Sequence, residues 1–249
     1  MAVGDLAAFR RLKLGDLESL IARPGMWATT GHDLQMAGFR LLDDLLRLDG
    51  ADRPDWLRPA LRRFGKLGIA GAFTGTFGDS DYREEVASVL AEMATRMGYF
   101  VPSGPVLPEA QHRELVEAVT AAWTDRDVVF DDAMGRLGSP TLSIGGRVVS
   151  FASDIGSWLH LDFQQERLTR YDRGAGQEIR ELGELLLRDV RLPLEGFDEA
   201  LVLTNFGRYQ RWGAGSWIDQ PRHRDDDPSV AVIAASLRAI RAKDPSQRG

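Results

Sequence analysis

The sequence predicts an α+β protein, and two observations carry that prediction. Apolar residues recur at helical spacing through the first hundred residues. In the second half the period falls to two in several short stretches separated by glycines. Strands and helices are thus segregated along the chain rather than alternating, which is the α+β arrangement. The expected layout is a helical region over 1–100 and an α+β domain over 109–249. That domain holds an antiparallel sheet flanked by helices and ends in a C-terminal helix. YFVPSGPVLP (99–108), too rich in proline to sustain a helix, marks the boundary.

The elements follow in order. Residues 5–23 place Leu6, Phe9, Leu12, Leu17, Leu20 and Ile21 at nearly helical spacing until Pro24-Gly25 stops them. Residues 33–48 carry a wide leucine stripe. A helix is expected over 54–68, a glycine-rich loop over 68–81 and a helix over 82–98. Helices at 109–123 and 125–137 follow, the second capped by Thr124 with Asp127. TLSI (141–144) and RVVSFAS (147–153) flank Gly145-Gly146, a pair that supplies the positive φ of a primed hairpin turn. SWLHLDFQ (157–164) alternates as a strand should. Residues 176–188 read as a helix on Ile179, Leu182, Leu185 and Leu186. Strands are expected at 200–206, 207–213 and 216–220, a linker at 223–229 and a last helix at 229–242.

Composition excludes several classes. The chain has 249 residues and no cysteine, so disulfides, thiolate zinc sites and a cysteine nucleophile are out. It begins without a basic, apolar leader and holds no run of about 18 apolar residues. A cytoplasmic protein without a membrane span is expected. The formal charge of −6 argues against nucleic acid as the main partner. Residues 151–205 carry six basic and eleven acidic residues, the most acidic segment.

Motifs for chemistry are sparse. The glycines of 71–78 lack the GK[ST] and the strand–turn–helix setting of a phosphate loop. No G-x-S-x-G elbow occurs. The four histidines (His32, His112, His160, His223) include no pair at i, i+4, and no cofactor or metal is expected. On the strand 157–164, Leu159, Leu161 and Phe163 share one face while Trp158, His160 and Asp162 share the other. His160 and Asp162 suit a base with its orienting carboxylate, although they stand about 7 Å apart along the strand. A hydrogen-bonded His160 under a covering helix, or a partner surface anchored on Trp158, explains the same pattern. Phe206, Tyr209, Trp212 and Trp217 fall close together with Arg208 and Arg211, the mixture enriched at interface hot spots. Trp158, His160, Asp162, Arg208, Tyr209 and Trp217 are therefore the candidate partner-binding residues.

Two resemblances bear on function. Arg23-Pro24-Gly25-Met26-Trp27 resembles the segment that opens the ATPase domain of type II topoisomerases. That family's downstream motifs are missing here, so the homology is rejected. LESLIARPGMW, LGSPTLSIGGRVVSFAS, GSWLHLDF and LVLTNFGRYQRWGAGSW resemble a group of actinobacterial immunity-like proteins of polymorphic toxin systems. That resemblance implies a protein-binding role. The leading expectation is a non-enzymatic immunity protein that neutralises a toxin by covering its active site, with a basic toxin domain as partner. The alternative is a small-molecule enzyme, a hydrolase or transferase, using His160 and Asp162. A structural module in a larger assembly is the third class.

Overall fold

In a computed structural model, residues 3–23, 31–52, 86–172, 176–194 and 200–208 are described. Six helices and five strands lie among them. They are α1 (Val3–Ala22), α2 (Gly31–Leu48), α3 (Val86–Arg96), α4 (Glu109–Trp123), α5 (Phe130–Leu137) and α6 (Asn205–Arg208). The strands are β1 (Leu142–Ile144), β2 (Val148–Ala152), β3 (Trp158–Asp172), β4 (Gly176–Arg191) and β5 (Leu201–Leu203). They form one sheet in the order β1-β2-β3-β4-β5, an antiparallel meander in which each strand pairs with its neighbour in sequence. The fold is α+β. Among the described residues, no helix is long and apolar enough to cross a membrane.

Two compact units divide the chain. The first comprises Met1–Leu107, Pro140–His160 and Arg191–Leu201; the second comprises Pro108–Ser139, Leu161–Val190 and Val202–Gly249. Each unit is discontinuous, whereas the sequence reading cuts the chain once. The reason is the meander: long strands carry the chain out of one unit and back, with divisions after His160 in β3 and after Val190 in β4.

The first unit is built around α3, whose Ala87, Val89, Leu90, Ala91, Met93 and Ala94 are fully buried. Helices α1 and α2 and strand β2 pack on it. They contribute Leu17, Leu20, Ile21, Leu42, Leu45 and Phe151 to the core. Gly98, with φ of 74°, ends the helix, and the Tyr99 amide donates back to the Ala94 carbonyl at 2.8 Å. The proline-rich segment that follows is strapped to the β1–β2 hairpin. Gly104 N donates to Thr141 O, Leu107 N to Ala152 O, and the Thr141 hydroxyl to Pro105 O. The hairpin is the one the sequence predicts. Leu142 faces Ser150 and Ile144 faces Val148, with Gly145 and Gly146 at φ of 57° and 69°.

In the second unit, α4 buries His112, Val119 and Trp123. Phe130 meets Phe163 edge-on with ring centroids 5.0 Å apart. Thr204 closes the turn into α6: its amide and hydroxyl donate to Arg188 O, and its oxygen accepts the Gly207 amide at 3.1 Å.

Three expectations are corrected. Residues 176–188 are strand, not helix. Their Glu, Leu and Arg favour a helix locally, but pairing with β3 outweighs that propensity. The strand's end is buried on both faces, Leu187 to Arg191 alike, so it lacks the alternation that announces a strand. Helix α5 starts at Phe130, not 125. Thr124 instead ends α4, its hydroxyl donating to Thr120 O at 3.0 Å. The strand expected at 200–206 covers only Leu201–Leu203 before the chain turns into α6. Expectations at 54–68, 68–81, 207–213 beyond Arg208, 216–220, 223–229 and 229–242 lie outside the described residues.

Candidate functional site

The most structured polar group lies in the first unit, where α3, the start of β3 and the end of β4 place charged side chains in an apolar setting. Glu92 sits on α3 with its side chain 8% exposed. One of its carboxylate oxygens, Oε2, accepts a short hydrogen bond from Nε of Arg191, whose side chain has no exposure. The other, Oε1, accepts from the Arg96 guanidinium one helical turn on, at 3.1 Å. A buried carboxylate is tolerated only when its lone pairs are met in this way.

His160 lies in the same unit and is fully buried. Its Nδ1 stands 2.7 Å from the Ser150 hydroxyl and its Nε2 stands 3.4 Å from the Thr95 hydroxyl. Thr95 donates its own proton to the carbonyls of Ala91 and Glu92, so its oxygen is the acceptor for His160. This network assigns the proton to Nε2 and leaves Nδ1 to accept from Ser150. Burial first, and the positive charge of Arg191 second, together lower the His160 pKa to about 3. The ring is neutral at physiological pH. The Trp158 indole stacks on it, with centroids 5.9 Å apart and planes within 6°.

Beside this group a cavity of about 170 Å³ opens, lined by Glu92, Arg96, Gly156, Ser157, Trp158, Pro193 and Leu194. Its lining mixes charged and apolar side chains and reaches solvent at Leu194, which is 44% exposed; Ile155, next in sequence to Gly156, is 64% exposed. Arg96 keeps 29% of its side chain exposed. A second, smaller cavity of about 70 Å³ belongs to the other unit, between Trp123, Arg126, Asp127, Val128, Asp132 and Arg136.

Of the residues singled out in the sequence, Trp158 and His160 are brought together, stacked and on one network. Trp158 is half-buried and lines the larger cavity. His160 and Asp162 are both fully buried. Asp162 belongs to the second unit. Arg208 ends α6, while Tyr209 and Trp217 lie outside the described residues. Sequence reasoning missed Glu92, Arg96 and Arg191. The available signal was one acidic residue in the otherwise apolar run of VASVLAEMAT, which a packed helix does not carry without a partner.

The Ser150–His160 pair has the spacing of a nucleophile and its base. Its chemistry is wrong for that role: the imidazole is a weak base, and both residues have no exposure through which substrate reaches them. Among the described residues, no three His, Asp or Glu side chains converge as metal ligands. No family model, curated protein or solved structure matches the chain.

Proposed function

We propose that the chain is a non-enzymatic protein-binding protein that uses the rim of the larger cavity as its contact surface. The observation that carries this reading is exposed Leu194 on the cavity wall with half-buried Trp158 and Arg96, and exposed Ile155 next in sequence to the lining residue Gly156. An aromatic side chain and an arginine beside exposed apolar surface is the composition of an interface hot spot. The burial of His160 and Asp162 weighs against the enzymatic alternative, because each side chain is withdrawn from any substrate.

The finer reading rests on the resemblance to immunity-like proteins. In it the partner is a toxin domain of basic character, and binding covers its active site. The acidic segment 151–205 suits such a partner, since opposite potentials speed encounter and suppress wrong pairings.

The test is affinity capture from the source cells with the wild-type chain and with Leu194→Asp and Ile155→Asp. Each replacement puts a charge on an exposed position and is expected to change folding stability by less than about 0.5 kcal/mol. The reading expects one protein to be captured stoichiometrically by wild type and lost from both variants. Equal capture by all three chains refutes the assignment of this surface.

A further inference from the structure

We propose that His160 is a positioning residue of the contact surface, holding the Trp158 indole in the orientation that the partner protein meets; this deepens the protein-binding reading and rests on it. Trp158 and His160 stand two positions apart on β3, so they project from the same face. Side chains so placed are about 7 Å apart along a strand. Here the ring centroids are 5.9 Å apart and the planes lie within 6°, so the two rings lean together into an offset stack. Trp158 is half-buried and lines the cavity, whereas His160 has no exposure at all. The stack therefore runs from the surface into the core.

The imidazole is itself fixed from two sides. Its Nδ1 stands 2.7 Å from the Ser150 hydroxyl on β2, and its Nε2 stands 3.4 Å from the Thr95 hydroxyl on α3. A flip of the ring would set carbons against both hydroxyls and strand two buried nitrogens. Ser150 is fully buried and Thr95 is 7% exposed, so little water reaches the gap to replace those bonds. Strand β2 and helix α3 pack on each other, which ties the angle of the imidazole to the core of the unit. A leucine would fill much the same space. What the histidine adds is a flat face at a set angle, and the indole rests on that face. A tryptophan whose rotamer is already fixed loses no freedom when a partner covers it, and for that reason rigid aromatic side chains serve well as anchors.

The experiment is nitrogen-15 relaxation of the indole groups of the full chain, which has six tryptophans. The Trp158 resonance is identified by its loss in Trp158→Phe. The proposal expects an order parameter of about 0.85 for Trp158 in the wild type, that of a rigid group, and one below about 0.6 in His160→Leu. His160→Phe keeps a flat face without the hydrogen bonds and is expected to lie between the two. Ser150→Ala removes the shorter bond, leaves the imidazole in place and is expected to lower the value as well. Gly146→Ala, which strains the β1–β2 turn without crowding anything, leaves Trp158 unchanged. The second readout is the dissociation of the protein captured by the wild-type chain, expected to be about threefold to tenfold faster from His160→Leu and Ser150→Ala. An order parameter unchanged in both variants, or lowered as much by Gly146→Ala, overturns the positioning role. If His160→Leu does not fold, Ser150→Ala decides alone. A loosened ring with unchanged dissociation overturns its link to the contact. An unchanged ring, with capture still abolished by Leu194→Asp, removes the role of His160 and leaves the protein-binding reading standing. A loosened ring, with nothing captured by the wild type, removes that reading and the contact role with it.

Discussion

The Arg191 guanidinium donates to the Glu92 carboxylate across 99 positions of sequence, joining the end of β4 to the middle of α3. Both side chains are withdrawn from water. Such a pair adds little net stability over an apolar substitute, but breaking it from one side strands a charge. Glu92→Gln is therefore expected to destabilise the chain by about 3–5 kcal/mol, read from the urea midpoint. A loss below about 1 kcal/mol contradicts the buried pair.

Acid acts on the first unit through His160. Its folded pKa, about 3, lies below the ordinary 6.5. Between those values the unfolded chain binds a proton that the folded chain refuses, so stability falls as pH falls from about 6.5 towards 3. The slope contributed by this one group is on the order of 1 kcal/mol per pH unit. His160→Asn removes this dependence, and the difference between the two chains, measured between pH 6.5 and pH 5, isolates the histidine from the carboxylates. Parallel curves for the two chains contradict a neutral, buried His160.

Two neighbouring glycines separate backbone strain from crowding. Gly145 and Gly146 both have positive φ, but a Cβ on Gly145 would fall 2.1 Å from the Cβ of Ala22, whereas nothing lies within 4 Å of one on Gly146. Gly146→Ala is expected to cost about 1 kcal/mol from backbone strain alone. Gly145→Ala adds the displacement of α1 and is expected to cost at least about 2 kcal/mol more. Thermal melts of the two variants check the order, and equal losses refute the close approach of the turn to α1.

Much of the first unit was legible in the sequence because its signals are local. The Gly145-Gly146 turn needs positive φ, the 33–48 stripe needs a helix, and both appear as expected. Strand β4 was not legible, because its leucines and arginines favour a helix until β3 is present to pair with them. Trp158 was found through period-two alternation. The same alternation put His160 and Asp162 on the face opposite Leu159 and Leu161, and a hydrogen-bonded His160 under a covering helix was one reading of it; the structure buries both residues and bonds His160 to Ser150 and to Thr95. Glu92 and Arg191 stayed hidden because a contact across 99 positions leaves no spacing to read.

Tyr99 reports on the surface cluster around α1. Its pKa is raised to about 12, by partial burial first and by the Asp49 charge second, with the Arg10 cation opposing both. Arg10 holds Asp49 through two hydrogen bonds, at 2.7 and 3.0 Å. Asp49→Asn is expected to shift the Tyr99 titration down, with Tyr99→Phe identifying its contribution among the four tyrosines. An unchanged titration contradicts the electrostatic link.

The contact surface itself is tested most directly by photo-crosslinking in the source cells. A benzophenone amino acid is placed at position 194 on the cavity rim, and in a second chain at position 12, where Leu12 is 59% exposed on α1. The account predicts a single discrete adduct from position 194, containing one other protein, and none from position 12. An adduct of the same protein in equal yield from both positions, or none from position 194, contradicts it.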